Sequence, residues 1–124
     1  MSWEIVQHDR VETDIDGLTF GIEERRGIEY ATRWHDGLLA ALWSLGDFPG
    51  PRSFPPCLGE SERRRAEVRV RSYRGSDGKS STSWLIFFAV YEETQQDPPR
   101  VTVLRIVSAQ GAEAAAMLGE SDWA

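Results

Sequence analysis

The stretch EYATRWHDGLLAALWSL, Glu29 to Leu45, decides the fold. Apolar side chains recur at Tyr30, Trp34, Leu38, Ala41, Leu42 and Leu45, the three-and-four spacing that lines one face of an α-helix. Gly46 ends the pattern and Pro49 prevents its return, so the spacing predicts a helix over 28–45. Upstream, Val11, Ile15, Leu18 and Ile22 keep the same period, and Gly27 is a natural stop. Asp9, followed three residues later by Glu12, resembles a capping box. These signals predict a helix over 10–26, weakened at Gly17 and Gly21 by about 1 kcal/mol each relative to Ala. So short a gap makes the pair an antiparallel helical hairpin.

On either side the period changes to two. SWEIVQ, Ser2 to Gln7, alternates as a first strand. After a Pro- and Gly-rich connection over 46–65, three strand patterns follow at 67–73, 84–91 and 101–107. Turn-like GSDGKSST and EETQQDPPR join them. Ala112–Leu118 reads as a short helix in the tail. The order β-α-α-β-β-β predicts an α+β domain over residues 1–124, an antiparallel sheet with the helical hairpin on one face.

Composition narrows the class. A chain of 124 residues suits one domain. Its longest apolar run, Trp84 to Tyr91, is too short to cross a bilayer as a helix, and the first ten residues do not read as a signal peptide. Cys57 is the only cysteine, which excludes an internal disulfide and fits a reducing compartment, so the expected location is the cytoplasm. Two histidines and one cysteine, widely spaced, give no metal site, and nothing calls for a cofactor.

The net charge of -6 is unevenly spread. Residues 51–79 carry eight basic and four acidic groups, between two acidic stretches. Within that basic segment, EVRVRSY places Arg69, Arg71 and Tyr73 on one face of a strand and Val68 and Val70 on the other. The expectation is that the valines enter the core and the arginines face outward. Such a face suits an anionic partner; the plainer alternative is a surface kept soluble by arginine, which also guards against edge pairing. GSDGKSS is not a phosphate loop: the first glycine of G-x-x-x-x-G-K-[ST] would fall at Tyr73, and a strand follows where a helix should.

In this order and spacing the chain resembles the RelE/ParE superfamily of bacterial type II toxins. The resemblance rests on the long second helix with its terminal Ser44-Leu45-Gly46-Asp47-Phe48-Pro49, on the arginine-rich VRVRSYR, on WLIFFAVYEE and on VTVLRIVSAQ, and it runs over roughly residues 3–112. It implies a toxin that either cleaves messenger RNA on the ribosome or inhibits DNA gyrase, and that a cognate antitoxin neutralises. RNA cleavage without a metal needs cations to neutralise the attacked phosphate and a group to move a proton. The candidates for that work are Arg69, Arg71, Tyr73, Arg74 and Lys79. Two departures from the family pattern count against cleavage: Leu85 stands where a basic residue usually follows the first aromatic, and the last strand runs out in Val107-Ser108-Ala109-Gln110 without a His or Arg. One lost donor of this kind can cost about 2.7–4 kcal/mol. The expectation is therefore a ParE-like toxin that binds a protein target such as gyrase, with Arg69, Arg71, Trp84 and Phe87 at the partner surface. The alternatives are a ribosome-dependent mRNA endonuclease and a non-toxic binding module of the same fold.

Overall fold

The computed structural model describes residues 3–56 and 67–111. The tail helix expected over Ala112–Leu118, Cys57, and Arg63, Arg64 and Arg65 of the basic segment lie outside the described residues. The elements follow the expected order: β1 (Glu4–Gln7), α1 (Asp9–Arg26), α2 (Ile28–Trp43), β2 (Glu67–Tyr73), β3 (Trp84–Tyr91) and β4 (Arg100–Ser108). A 3₁₀ turn over Ser44–Gly46 finishes α2, and another spans Pro51–Ser53.

Gly27 separates the helices with φ +87°, and its N–H closes α1 on the Glu23 carbonyl at 2.8 Å. At the other end of α1 the cap is His8, whose Nδ1 accepts from the Arg10 N–H at 3.2 Å. Asp9 and Glu12 sit in the first turn, where a negative charge suits the helix dipole, so the capping box gives way to a histidine cap.

The sheet is mixed, with order β1-β4-β3-β2. β2–β3 and β3–β4 are antiparallel, as their turn-length links require, but β1 runs parallel to β4, Glu4 opposite Arg100 through Gln7 opposite Val103. The expected all-antiparallel sheet is thereby corrected. The hairpin α1–α2 returns the chain across the sheet, so β1 need not pair with its neighbour in sequence. Beyond β2, Pro55 and Pro56 run alongside the outer edge, where the Val70 N–H donates to the Pro55 carbonyl at 2.9 Å.

Both helices cover one face of the sheet. Trp34, Leu38 and Leu42 of α2 are almost completely buried with Val11 and Ile22 of α1, against Ile86, Phe88, Val101, Val103 and Ile106 of the sheet. The opposite face carries a smaller apolar cluster of Val68, Phe87 and Val107, with Val70, Leu85 and Leu104 packed against it. β4 contributes to both by alternation, and a bulge in which two of its residues face one shifts the alternation by one: Phe87 pairs with Arg105 but Phe88 with Val103. Val101 and Val103 point to the helices before the bulge and Ile106 after it. At the bulge Arg105 reaches α1, where Nε meets Asp14 Oδ2 at 2.7 Å and Nη2 meets Oδ1 at 3.1 Å. The Ile106 N–H also donates to Asp14, at 3.0 Å.

Candidate functional site

Arg69, Arg71 and Tyr73 do share one face of β2, but it is the face toward the helices. Their cross-strand partners Phe88, Ile86 and Trp84 belong to the main core, whereas Val68 is buried in the smaller cluster opposite. The valines do enter a core, the smaller one, but the expectation that the arginines and Tyr73 face outward is overturned. The three polar groups are accommodated under the helical layer because each meets a backbone carbonyl.

Arg71 Nη1 donates to the Ala41 carbonyl at 2.9 Å and to Ser44 Oγ at 2.8 Å, at the end of α2. The last carbonyls of a helix have no partner within it and carry the negative end of its dipole, so a guanidinium is well placed there. Arg71 also lies over the Phe54 ring, 5.1 Å from its centroid. Burial lowers the pKa of Arg71, with Asp47 opposing. Arg69 Nη1 donates to the Arg52 carbonyl at 2.8 Å and to the Phe54 carbonyl, holding the connection after α2 against β2. The Tyr73 hydroxyl donates to the Trp34 carbonyl at 2.7 Å. Its ring makes an edge contact with Trp34, centroids 5.9 Å apart. Burial first, then Tyr30 and Asp77, push the Tyr73 pKa up to about 12. The hydroxyl therefore stays protonated across the neutral range.

Gly37 makes this approach of helix and strand possible. A Cβ there would fall on the Tyr73 hydroxyl and 2.9 Å from Ser76 Cα. Alongside runs an open cleft of about 540 Å³, lined in part by Ala41, Ser44, Arg71, Tyr73, Arg74 and Ser76. Arg74 is exposed, yet its Nε donates to the Ser80 carbonyl at 3.0 Å and closes the β2–β3 turn. Lys79 is exposed on the same turn.

The structure thus brings Arg71, Tyr73 and Arg74 together along one cleft, but as donors to internal carbonyls. Trp84 is 6% exposed and packs edge-on to Trp34, and Phe87 is completely buried on the other face. Neither offers surface to a partner in this structure. Among the described residues the large hydrophobic side chains that do are Phe20, Ile28, Trp43, Phe48 and Tyr91, of which Phe48 is 98% exposed. Neither Trp43 nor Phe48 is singled out by sequence; the signal for Trp43 is its place off the apolar stripe of its helix, and Phe48 carries none beyond the motif over 44–49.

Among the described residues no group of histidine, cysteine or acidic side chains could hold a metal, and no helix is long and apolar enough to cross a membrane. No family model matches the chain, and no curated protein matches it in sequence.

Proposed function

We propose that the chain is a ParE-like toxin of a cytoplasmic type II toxin–antitoxin pair, acting by binding a protein target such as DNA gyrase. The observation that carries this reading over RNA cleavage is the engagement of Arg71 and Tyr73 by the carbonyls of α2. A phosphoryl-transfer site needs cations aimed at the phosphate and a group able to exchange a proton near neutrality. Tyr73, held near pKa 12 on a helix carbonyl, does not meet that need. The β-α-α-β-β-β order and the hairpin on one face agree with the fold that the resemblance implies. Contact with a partner requires exposed anchors, and aromatic residues are the most effective. Trp43 and Phe48, 54% and 98% exposed, supply two, one at the last residue of α2 and one in the connection that follows.

The test combines a gyrase supercoiling assay, growth on induction, and primer extension on a translated messenger with wild type beside Tyr73→Phe. The expected result is growth inhibition with supercoiling inhibition, relieved by the double change Trp43→Ala, Phe48→Ala, and no ribosome-dependent cleavage. Robust cleavage that vanishes in Tyr73→Phe would establish the endonuclease instead. A folded protein without growth inhibition would leave only the binding module.

A further inference from the structure

A second cleft, about 230 Å³ in volume, opens between the turn joining α1 to α2 and the turn joining β2 to β3. Arg26, Arg33 and Lys79 line it, and Asp77 is the acid among the lining residues. Cations that close together repel one another unless an anion intervenes. Among the described residues none of the three is in an ion pair. Arg26 lies over the Tyr30 ring at 4.8 Å, which orients the guanidinium without neutralising it. Asp77 is already occupied in part, since its Oδ1 accepts the Lys79 N–H at 2.9 Å and so shapes the turn.

An independent observation comes from Trp34, which also lines this cleft. Trp34 is 1% exposed, and its indole N–H is buried without an acceptor. Buried donors in native proteins almost always have a partner, so this N–H directly beneath the cleft is sensitive to whatever charge enters above it. The cleft therefore combines three cations that have no ion-pair partner among the described residues with the hydroxyls of Tyr30, Ser76 and Ser80, over the buried Trp34 indole.

We propose that this cleft binds the phosphomonoester dianion of a ligand whose remainder lies outside it. Charge and size select that group. Three cations less one carboxylate leave two positive charges, matching the charge of roughly -1.5 to -2 on a phosphomonoester at neutral pH. A single carboxylate would leave one cation over. At about 230 Å³ the cleft is smaller than the roughly 300–1,000 Å³ that encloses a whole small molecule, so it suits a head group. The turn from Gly75 to Ser81 fails the phosphate-loop pattern, and its part here is different: it contributes side chains opposite two helical arginines. The site stands or falls independently of the toxin reading. Its ligand is either a small phosphorylated molecule or the 5′-phosphate end of a nucleic acid.

The test is an NMR titration of the full chain with inorganic phosphate, a nucleoside 5′-monophosphate and its unphosphorylated nucleoside, and a short oligonucleotide with a 5′-phosphate or a 5′-hydroxyl. The expected result is a saturable shift of the Trp34 indole N–H and of the amides of residues 76–80, seen only with probes that carry the monoester or free phosphate. Arg26→Gln with Arg33→Gln should weaken binding at least about tenfold, because charge-assisted hydrogen bonds are the strong ones. Lys79→Gln should weaken it too, whereas Arg10→Gln, exposed at the far end of α1, should not. Tighter binding of the 5′-phosphorylated oligonucleotide than of the monophosphate identifies a nucleic-acid end; equal binding identifies a small molecule. No movement of the Trp34 resonance up to about 10 mM phosphate, equal shifts with the unphosphorylated probes, or binding unchanged in the arginine and lysine variants would overturn the proposal.

Discussion

In the interior of an exposed helix, replacing Gly by Ala ordinarily stabilises a protein by about 1 kcal/mol. Gly37 of α2 should behave in the opposite way. The methyl group would arrive 2.9 Å from Ser76 Cα and on top of the Tyr73 hydroxyl. Ser76 Cα is backbone, in a turn held by the Gly78 N–H to Gly75 carbonyl bond at 3.1 Å and the Ser80 N–H to Arg74 carbonyl bond at 2.9 Å, so it yields little. Overpacking of this kind costs about 1–3 kcal/mol. Moving Tyr73 aside also forfeits its buried bond to the Trp34 carbonyl, about 1 kcal/mol more. Against the helix-propensity gain of about 1 kcal/mol, Gly37→Ala should destabilise by about 1–3 kcal/mol in urea denaturation. The partner experiment is Tyr73→Phe, which removes the clashing oxygen and costs about 1 kcal/mol by itself. The double variant should be more stable than the sum of the two single losses predicts, with a coupling of the order of 1 kcal/mol. A neutral or stabilising Gly37→Ala, or strictly additive losses, would refute the packing of α2 on the β2–β3 turn.

Two further expectations bear on the same interior. Asp14→Ala removes three hydrogen bonds at once, two of them charge-assisted bonds from Arg105, with both side chains about seven-eighths buried, so a loss of about 3–5 kcal/mol is expected in the same denaturation assay. Tyr73 should make the fold sensitive to alkali: its folded pKa lies near 12 against an unfolded value near 10, so the native state holds its proton longer and stability falls as pH rises from 10 to 12, by at most about 1.4 kcal/mol per unit. Tyr73→Phe should flatten that part of the profile, measured by denaturation at each pH.

The elements were legible because each has one dominant period. β2 and β3 have the boundaries that their alternation and turn residues give, while α2 ends at Trp43, two residues short of the expected 45, and a 3₁₀ turn carries the apolar stripe on to Gly46. Facing was not legible for β2. Alternation says which side chains travel together, and nothing in Arg69-Val70-Arg71 says that the polar set goes under a helix. What draws it inward is a set of carbonyls in the middle and at the end of α2 and in the following connection, 15 to 39 residues away in sequence. The parallel pairing of β1 was hidden for a similar reason, since a lone terminal strand carries no mark of its neighbour. The bulge in β4 did leave a trace: the interval from Val103 to Ile106 breaks the alternation by one residue. Of the candidate site residues, the resemblance located Lys79 but not Arg26 and Arg33, which meet it only because two turns lie at the same end of the fold.

The strand order has a consequence for how the chain is made. β1 is synthesised first but lies against β4, and β4 separates it from β3. A ribosome delivers the helical hairpin long before Arg100–Ser108 exist, so α1, which packs on β4, must wait with Val11, Ile15 and Ile22 incompletely covered. Sheet closure is then a late, long-range event, the kind that slows folding and leaves apolar surface open to chaperones or to aggregation. Truncation just before β4 should therefore give a species with neither β1 paired nor α1 covered.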